Sequence, residues 1–230
     1  VVANHTNGSL KNVSARLQDE SLYHDYKGYC NDADRYSVTH GSIGMWDLKT
    51  EDPRVQKILS AYIQSLKACG VDGIRWDAIK HVGLPSENDS FIANVVDQDM
   101  YNYGEILNTP GPNPDKLFKE YTQYMSVTDN TYGNDVTQAF AAGGTSKLKG
   151  NLVFRGIKGN KLVYWGESHD TYSNSGRDAW SKYVDQQFID RSYAIMAGNN
   201  DATTLYYSRP LGKEAKDIIF GAKGSTHFTA

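Results

Sequence analysis

Arg75 and Asp77 stand two residues apart near the end of the segment Gly73-Ile74-Arg75-Trp76-Asp77-Ala78-Ile79-Lys80-His81. In a β-strand that spacing turns both side chains to one face. A guanidinium beside a carboxylate favours its ionised form and fixes its orientation, two things an anionic nucleophile needs. Taken alone, the pair also fits a surface ion pair, which contributes little. Two later segments also run as strands into an acid. Tyr101-Asn102-Tyr103-Gly104-Glu105-Ile106 is short and aromatic, and its glycine lets the backbone approach a neighbour closely just before Glu105. Leu162-Val163-Tyr164-Trp165-Gly166-Glu167-Ser168-His169-Asp170 is β-branched and aromatic and finishes in a His-Asp pair. Each acid by itself would also suit a helix N-cap. Three acids at three strand ends, separated by segments long enough for helices, match the way a parallel α/β barrel builds a site on its C-terminal face.

The elements that must position these acids are legible from periodicity. Arg54 to Cys69 reads as an amphipathic helix, with Val55, Ile58, Leu59, Tyr62, Ile63 and Leu66 at three- and four-residue spacing and Pro53 at its start. Strands are expected at 71–76, 100–104, 125–129, 161–165 and 203–207. Helices are expected at 114–124, within 133–148 and at 181–197.

Four short motifs in order resemble those of the α-amylase family of glycoside hydrolases. Val1-Val2-Ala3-Asn4-His5 is similar to the tail of the first, Gly73 to His81 to the second, Gly104-Glu105-Ile106-Leu107 to the third and Glu167-Ser168-His169-Asp170 to the fourth. The wording around them, including Tyr207-Ser208-Arg209-Pro210, most resembles bacterial saccharifying-type α-amylases. The resemblance implies Asp77 as nucleophile, Glu105 as general acid/base and Asp170 as the stabiliser of the transition state. It also implies substrate contacts from His5, Arg75, Lys80, His81 and His169. Retaining glycoside hydrolysis independently asks for two carboxyl groups roughly 5 to 5.5 Å apart, one attacking the anomeric carbon and one donating a proton. Arg75 suits Asp77 to the first task, and an aromatic, apolar setting around Glu105 would suit it to the second. The first motif of the family begins with an Asp that supports the arginine of the second, and this chain starts after that position, so Arg75 is expected to lack that partner. Ser168 stands where chloride-dependent relatives carry an Asn.

The resemblance further implies a calcium ion. Ca²⁺ takes roughly 6 to 8 hard oxygen ligands, and Asn4, Asp47 in Gly44-Met45-Trp46-Asp47-Leu48, and the carbonyls of His81 and Thr39 would supply them. Asp47 equally suits a cap or turn ahead of the following helix. No His/Cys cluster has the sequence spacing of a zinc site.

The implied fold is α/β, a partial TIM (β/α)8 barrel with an inserted calcium-binding subdomain after the third barrel strand. Residues 1–5 would end that strand, 6–50 would form the insert, and 51–230 would carry the fourth to eighth strands. A complete barrel takes roughly 250 residues, so 230 residues containing such an insert read as an internal piece of a longer protein. Parallel edges exposed by an unclosed barrel are poorly tolerated, and the piece alone is expected to be unstable or inactive.

Composition adds exclusions. A net charge of −3 with no basic run disfavours nucleic acid as a partner, and no apolar stretch approaches a membrane span. The resemblance implies an α-glucan as the partner, acted on by a secreted, monomeric enzyme hydrolysing internal α-1,4 bonds of starch. A transglycosylase or an α-1,6-acting relative shares the same acids. A glucan-binding protein without turnover, and a barrel metal hydrolase using His5, His81, His169 and Asp77, are the rivals from other classes. Among 16 tyrosines and 4 tryptophans, Trp46, Trp165, Tyr172 and Trp180 are the candidates for stacking on sugar faces. Two cysteines, Cys30 and Cys69, are too few for a disulfide framework, and Cys69, at a helix end, reads as a buried thiol.

Overall fold

The computed structural model describes residues 1–25, 28–146, 148, 150–173, 180–199 and 201–209. The chain divides into two compact units, Val1–Val127 and Thr128–Ala230.

In the first unit, β1 (His5–Thr6) pairs antiparallel with β2 (Trp46–Asp47), placing His5 opposite Asp47. Between them lie short 3-10 turns and helix α1 (Arg35–His40). Asp34 starts α1 by accepting a hydrogen bond from the Tyr36 amide. Helix α2 (Pro53–Ala68) begins one residue earlier than the periodicity suggests, because Asp52 caps the Arg54 amide and Pro53 fits the first turn. Val55, Leu59 and Ile63 bury its inner stripe, while Tyr62 is exposed. Cys69 is exposed rather than buried, since it falls off the four-residue stripe that faces the core.

Strand β3 (Gly73–Trp76), the short helix α3 (Phe91–Val95), strand β4 (Tyr101–Gly104), helix α4 (Pro114–Tyr124) and strand β5 (Ser126–Thr128) follow. β3 and β4 are parallel with Arg75 opposite Tyr103 and Trp76 opposite Gly104, and β4 is parallel to β5. The first residues run alongside the end of β3: Val2 bridges Asp77 in parallel, and the Asp77 amide donates to the Val1 carbonyl at 2.8 Å. A strand there is what the sequence implies. Trp76 is fully buried, with its indole N–H on Asn102 Oδ1 at 2.9 Å. Gly104 is required where it stands, because a Cβ would collide with Ile79 and Met125 packed over it.

One side chain ties the excursion to this sheet. The Arg35 guanidinium, on α1, pairs with Glu87 at 2.7 and 2.8 Å and donates to the carbonyls of Lys80 and Pro110 and to the Tyr121 hydroxyl. A tether for residues 6–50 therefore exists within the protein, independent of any metal.

In the second unit, Asp129 caps α5 (Asn130–Ala142) through the Tyr132 amide and also accepts from Leu152 N at 2.7 Å. Strand β6 (Leu162–Tyr164), helix α6 (His169–Ser173), helix α7 (Gln186–Ala197) and strand β7 (Thr203–Thr204) follow among the described residues, with β6 and β7 parallel. The helix expected at 181–197 is split into a 3-10 turn, Ser181–Tyr183, and α7, because the Asp185 side chain caps Gln187 and restarts the backbone. α5 and α7 pack together. No described helix is long and apolar enough to cross a membrane. Pro210 and the polar stretch after it lie outside the described residues.

Candidate active site

Arg75 is the centre of the site in the first unit. Its Nη1 donates to Asp77 Oδ1 at 2.6 Å and its Nη2 sits 2.6 Å from Glu105 Oε1. One fork thus spans two carboxylates, a geometry that a planar guanidinium supplies and an ammonium does not. Asp77 keeps 24 % of its side chain open to solvent, and Glu105 keeps 9 %. Alternation along the strand end accounts for the first contact; the parallel register of β3 and β4 accounts for the second.

Glu105 is stitched to the end of β3 and the turn after it at three further points. Its amide donates to the Trp76 carbonyl at 2.9 Å, its carbonyl accepts from Ile79 N at 3.0 Å, and its Oε2 accepts from Ala78 N at 3.2 Å. Ala78 has φ of 49°, a left-handed conformation that a residue with a Cβ adopts only under constraint. That turn aims the Ala78 amide at the carboxylate. The setting of Glu105 is accordingly more polar than its aromatic sequence neighbours suggest.

His5 approaches from β1, its Nε2 4.0 Å from Asp77 Oδ2 and its Nδ1 2.7 Å from Asn4 Oδ1. Burial holds its ring below the ordinary histidine range, opposed by the charge of Asp77. Lys80 is buried, its ammonium 3.0 Å from Asp32 Oδ1 and 3.2 Å from the Leu107 carbonyl. His81 does not face a ligand with its ring. The imidazole is 4 % exposed and lies with Nδ1 2.7 Å from the Val38 carbonyl, which leaves the backbone carbonyl as the part of His81 expected to reach a calcium ion.

In the second unit the Glu167 side chain is fully buried and gripped by both arms of Arg209 at 2.8 and 2.9 Å. Arg209 also donates to the carbonyls of Ser181 and Val184. Ser168 and Thr171 exchange amide-to-hydroxyl hydrogen bonds at 2.9 and 3.3 Å, which starts α6. His169 and Asp170 form its first turn, half and about one-third exposed, with His169 Nε2 3.4 Å from Asp170 Oδ2. Tyr172 is 3 % and Trp165 8 % exposed. Both are core residues here rather than sugar platforms, and the Arg209 guanidinium lies 5.2 Å from the Tyr172 ring centre. Trp46 remains open at 41 %.

Known proteins with related sequences align over most of the chain. An α-amylase of Butyrivibrio fibrisolvens is 27 % identical over 279 aligned residues, covering all of this chain and 28 % of that protein. The chain is a relative of the α-amylases. It spans less than a third of the length of that relative and of an α-amylase of Clostridium acetobutylicum, 29 % identical over 92 % of this chain. No family model matches. Among solved structures, a cyclomaltodextrin glucanotransferase superposes with a TM-score of 0.69 at 20 % identity over 90 % of this chain and 46 % of its own. α-Amylase I of Eisenia fetida gives 0.64 at 16 % identity over 82 % of this chain and 42 % of its own. These likenesses establish the fold, that of the barrel amylases.

The residues implied for calcium fit a hard cation in two respects. Asn4 is wholly buried and its Nδ2 has no hydrogen-bond partner, although its amide lies beside the Asp47 carboxyl. Turned over, that amide would present an oxygen there and an N–H to His5 Nδ1, leaving His5 Nε2 protonated towards Asp77. Asp47 is 6 % exposed, and burial pushes its carboxyl up to about 6 against the pull of His24. A bound dication would relieve that burial. The α1 residue Thr39 is buried, and the His81 ring contact on Val38 brings the turn at 79–81 against the end of α1. His24, which holds Asp47 Oδ2 at 2.7 Å, and Arg209 were not singled out by sequence. Nothing near His24 forms a motif; Arg209 lies in the Tyr207-Ser208-Arg209-Pro210 wording and could have been found there.

Proposed function

We propose that the protein to which this chain belongs is a retaining α-amylase that cleaves internal α-1,4-glucosidic bonds of starch-like glucans. The observation that carries this reading is the span of Arg75 across Asp77 and Glu105. Two carboxyl groups held by one guanidinium favour the short separation of retaining enzymes, about 5 to 5.5 Å, over the roughly 6.5 to 9.5 Å that leaves room for an inverting water.

In this reading Asp77, oriented by Arg75, attacks the anomeric carbon and forms a glycosyl ester. Glu105 gives its proton to the departing glycosidic oxygen, then takes one from the water that hydrolyses the ester. Proton uptake by Glu105 requires its tie to Arg75 to loosen when a sugar enters, which shifts the guanidinium towards Asp77, the group that must stay ionised. His5 and the pair His169 and Asp170 bind sugar hydroxyls, Asp170 most tightly as positive charge develops on the ring. Calcium, held by Asn4, Asp47 and the carbonyls of Thr39 and His81, would supply a structural charge that fixes β1 and β2 beside the site. The substrate is an α-glucan, and the relatives named α-amylase support that class.

The test uses the full-length protein. Release of malto-oligosaccharides from amylose but not from pullulan is expected, and cyclic or transferred products would instead assign a transglycosylase. Glu105→Gln is expected to abolish turnover while maltoheptaose still binds; retained turnover would remove Glu105 from its role.

A further inference from the structure

The fold gathers three donors that sequence spacing does not advertise. His24, His40 and Glu51 each offer one ligand atom, and those atoms lie within 4.8 Å of one another. This group is separate from Arg75, Asp77 and Glu105, and none of the three is among the residues expected to hold calcium. We propose that His24, His40 and Glu51 form a binding site for a zinc-type divalent transition-metal ion on the excursion between β1 and α2.

The donor set is the first argument. Two imidazoles and one carboxylate form a borderline-soft trio that suits zinc and its neighbours, whereas calcium prefers all-oxygen cages. Three protein ligands leave a fourth tetrahedral position for water. Ligands about 2.0 to 2.2 Å from zinc stand roughly 3.3 to 3.6 Å apart, so small rotamer adjustments from the observed spacing close the site. His24 Nε2 is already 3.0 Å from Glu51 Oε1, and the two imidazole centres are 4.4 Å apart.

The surrounding contacts form the second, independent argument. A metal-binding histidine normally has its other ring nitrogen hydrogen-bonded to a carboxylate or carbonyl, which sets the tautomer and aims the free nitrogen at the ion. Here His24 Nδ1 meets Asp47 Oδ2 at 2.7 Å. His40 Nδ1 meets Thr39 Oγ1 at 2.8 Å and the Tyr36 carbonyl at 3.2 Å, and the Tyr36 ring stacks on the His40 ring with centres 3.9 Å apart. Both imidazoles are thus fixed through Nδ1, which leaves Nε2 of each as the available ligand atom. Asp47 supports His24 with one oxygen and has the other for the calcium position, so the two ions would share a carboxylate. Without the metal, the same atoms make a His24 bridge between Asp47 and Glu51, and binding would replace the proton on His24 Nε2.

The experiment is a cobalt(II) titration of the full-length protein in excess calcium, followed by visible absorption and checked by zinc competition. The expected result is one equivalent bound with tetrahedral ligand-field bands, displaced by zinc and not by calcium or magnesium. Glu51→Gln and His40→Gln should each weaken cobalt at least about tenfold. Glu51 is partly exposed, so its variant is expected to fold even if the histidine variant does not. Absence of a ligand-field band, or the same cobalt affinity in the folded Glu51→Gln chain, would overturn the proposal. Because the readout is metal binding rather than hydrolysis, a protein inactive on starch could still pass it, and an active amylase could fail it.

Discussion

In the first unit Arg75 spans Asp77 and Glu105, both of which retain some access to solvent, at 24 % and 9 %. In the second unit Arg209 is closed over Glu167, whose side chain has none, and the acid that faces outward, Asp170, stands 36 % exposed in the first turn of α6. The residue types are the same, and the jobs differ. A bidentate pair that is sealed fixes a loop, because nothing can exchange with it; a guanidinium shared between a buried carboxylate and a solvent-accessible one is poised to let one go. The contrast fits the chemistry proposed for the first cluster and a positioning role for the pair in the second. Solvent access to Asp77, rather than the presence of an arginine, separates the two clusters.

The largest effect that could break this comparison is on turnover. Asp77→Asn in the full-length protein is expected to lower kcat by at least about 10⁴-fold, as loss of a nucleophile does, without shifting the thermal midpoint downward by a comparable free energy. A variant that stays active and merely melts early would turn the first cluster into a structural pair like the second. Glu167→Gln should do the opposite. It leaves Arg209 facing an uncharged buried partner, and breaking one side of such a pair costs about 3 to 5 kcal/mol. Denaturant unfolding of the chain, or of the full-length protein, measures that loss, and a change within 0.5 kcal/mol, roughly the scatter of an ordinary surface substitution, would refute the sealed-anchor reading.

A smaller effect concerns pH. Burial, reinforced by the charge of Lys80, lowers the His81 imidazole to about 4, against the hydrogen bond to Val38. The ring is neutral in the fold, and an unfolded chain takes up the proton below the ordinary value near 6.5. The stability from this group is therefore complete above pH 6.5 and lost as pH falls through 4, a swing of order 3 kcal/mol at most. Unfolding free energy measured from pH 7 to 4 should fall less steeply in His81→Gln, and an identical slope would mean that the ring is not buried neutral. Arg75→Lys sits at the small end. It keeps the charge and loses the fork, and misplacement of Asp77 and Glu105 should reduce kcat by about 10²-fold with little change in stability.

Much of the scaffold was legible because its elements obey local rules. The α2 stripe at Val55, Leu59 and Ile63, the Pro53 at its start, and the strand ends at Trp76 and Gly104 are all set by spacing or by a neighbouring residue. The contact of Arg75 with Asp77 follows from alternation on one strand. Its second contact, with Glu105, depends on which strand lies beside β3 and in what register, and periodicity does not report that. The same limit hides the Arg35 tether, since its partners Glu87, Pro110 and Tyr121 are far away in sequence. His24, His40 and Glu51 were invisible for that reason too: irregular separations along a loop-rich excursion give no motif, and only the folded backbone brings them together. Trp165 and Tyr172 misled in the other direction, because aromatic character says nothing about which way a ring is turned.

The central claim is that Asp77, held by Arg75, is the nucleophile of a retaining reaction. Incubating the full-length protein with a 5-fluoro-α-glycosyl fluoride and mapping the adduct by peptide mass spectrometry tests it most directly. The expected result is a stable glycosyl ester on Asp77 that is absent from Asp77→Asn. An adduct on Asp170 or Glu105, or an active enzyme that forms no adduct and releases products of inverted anomeric configuration, would contradict it.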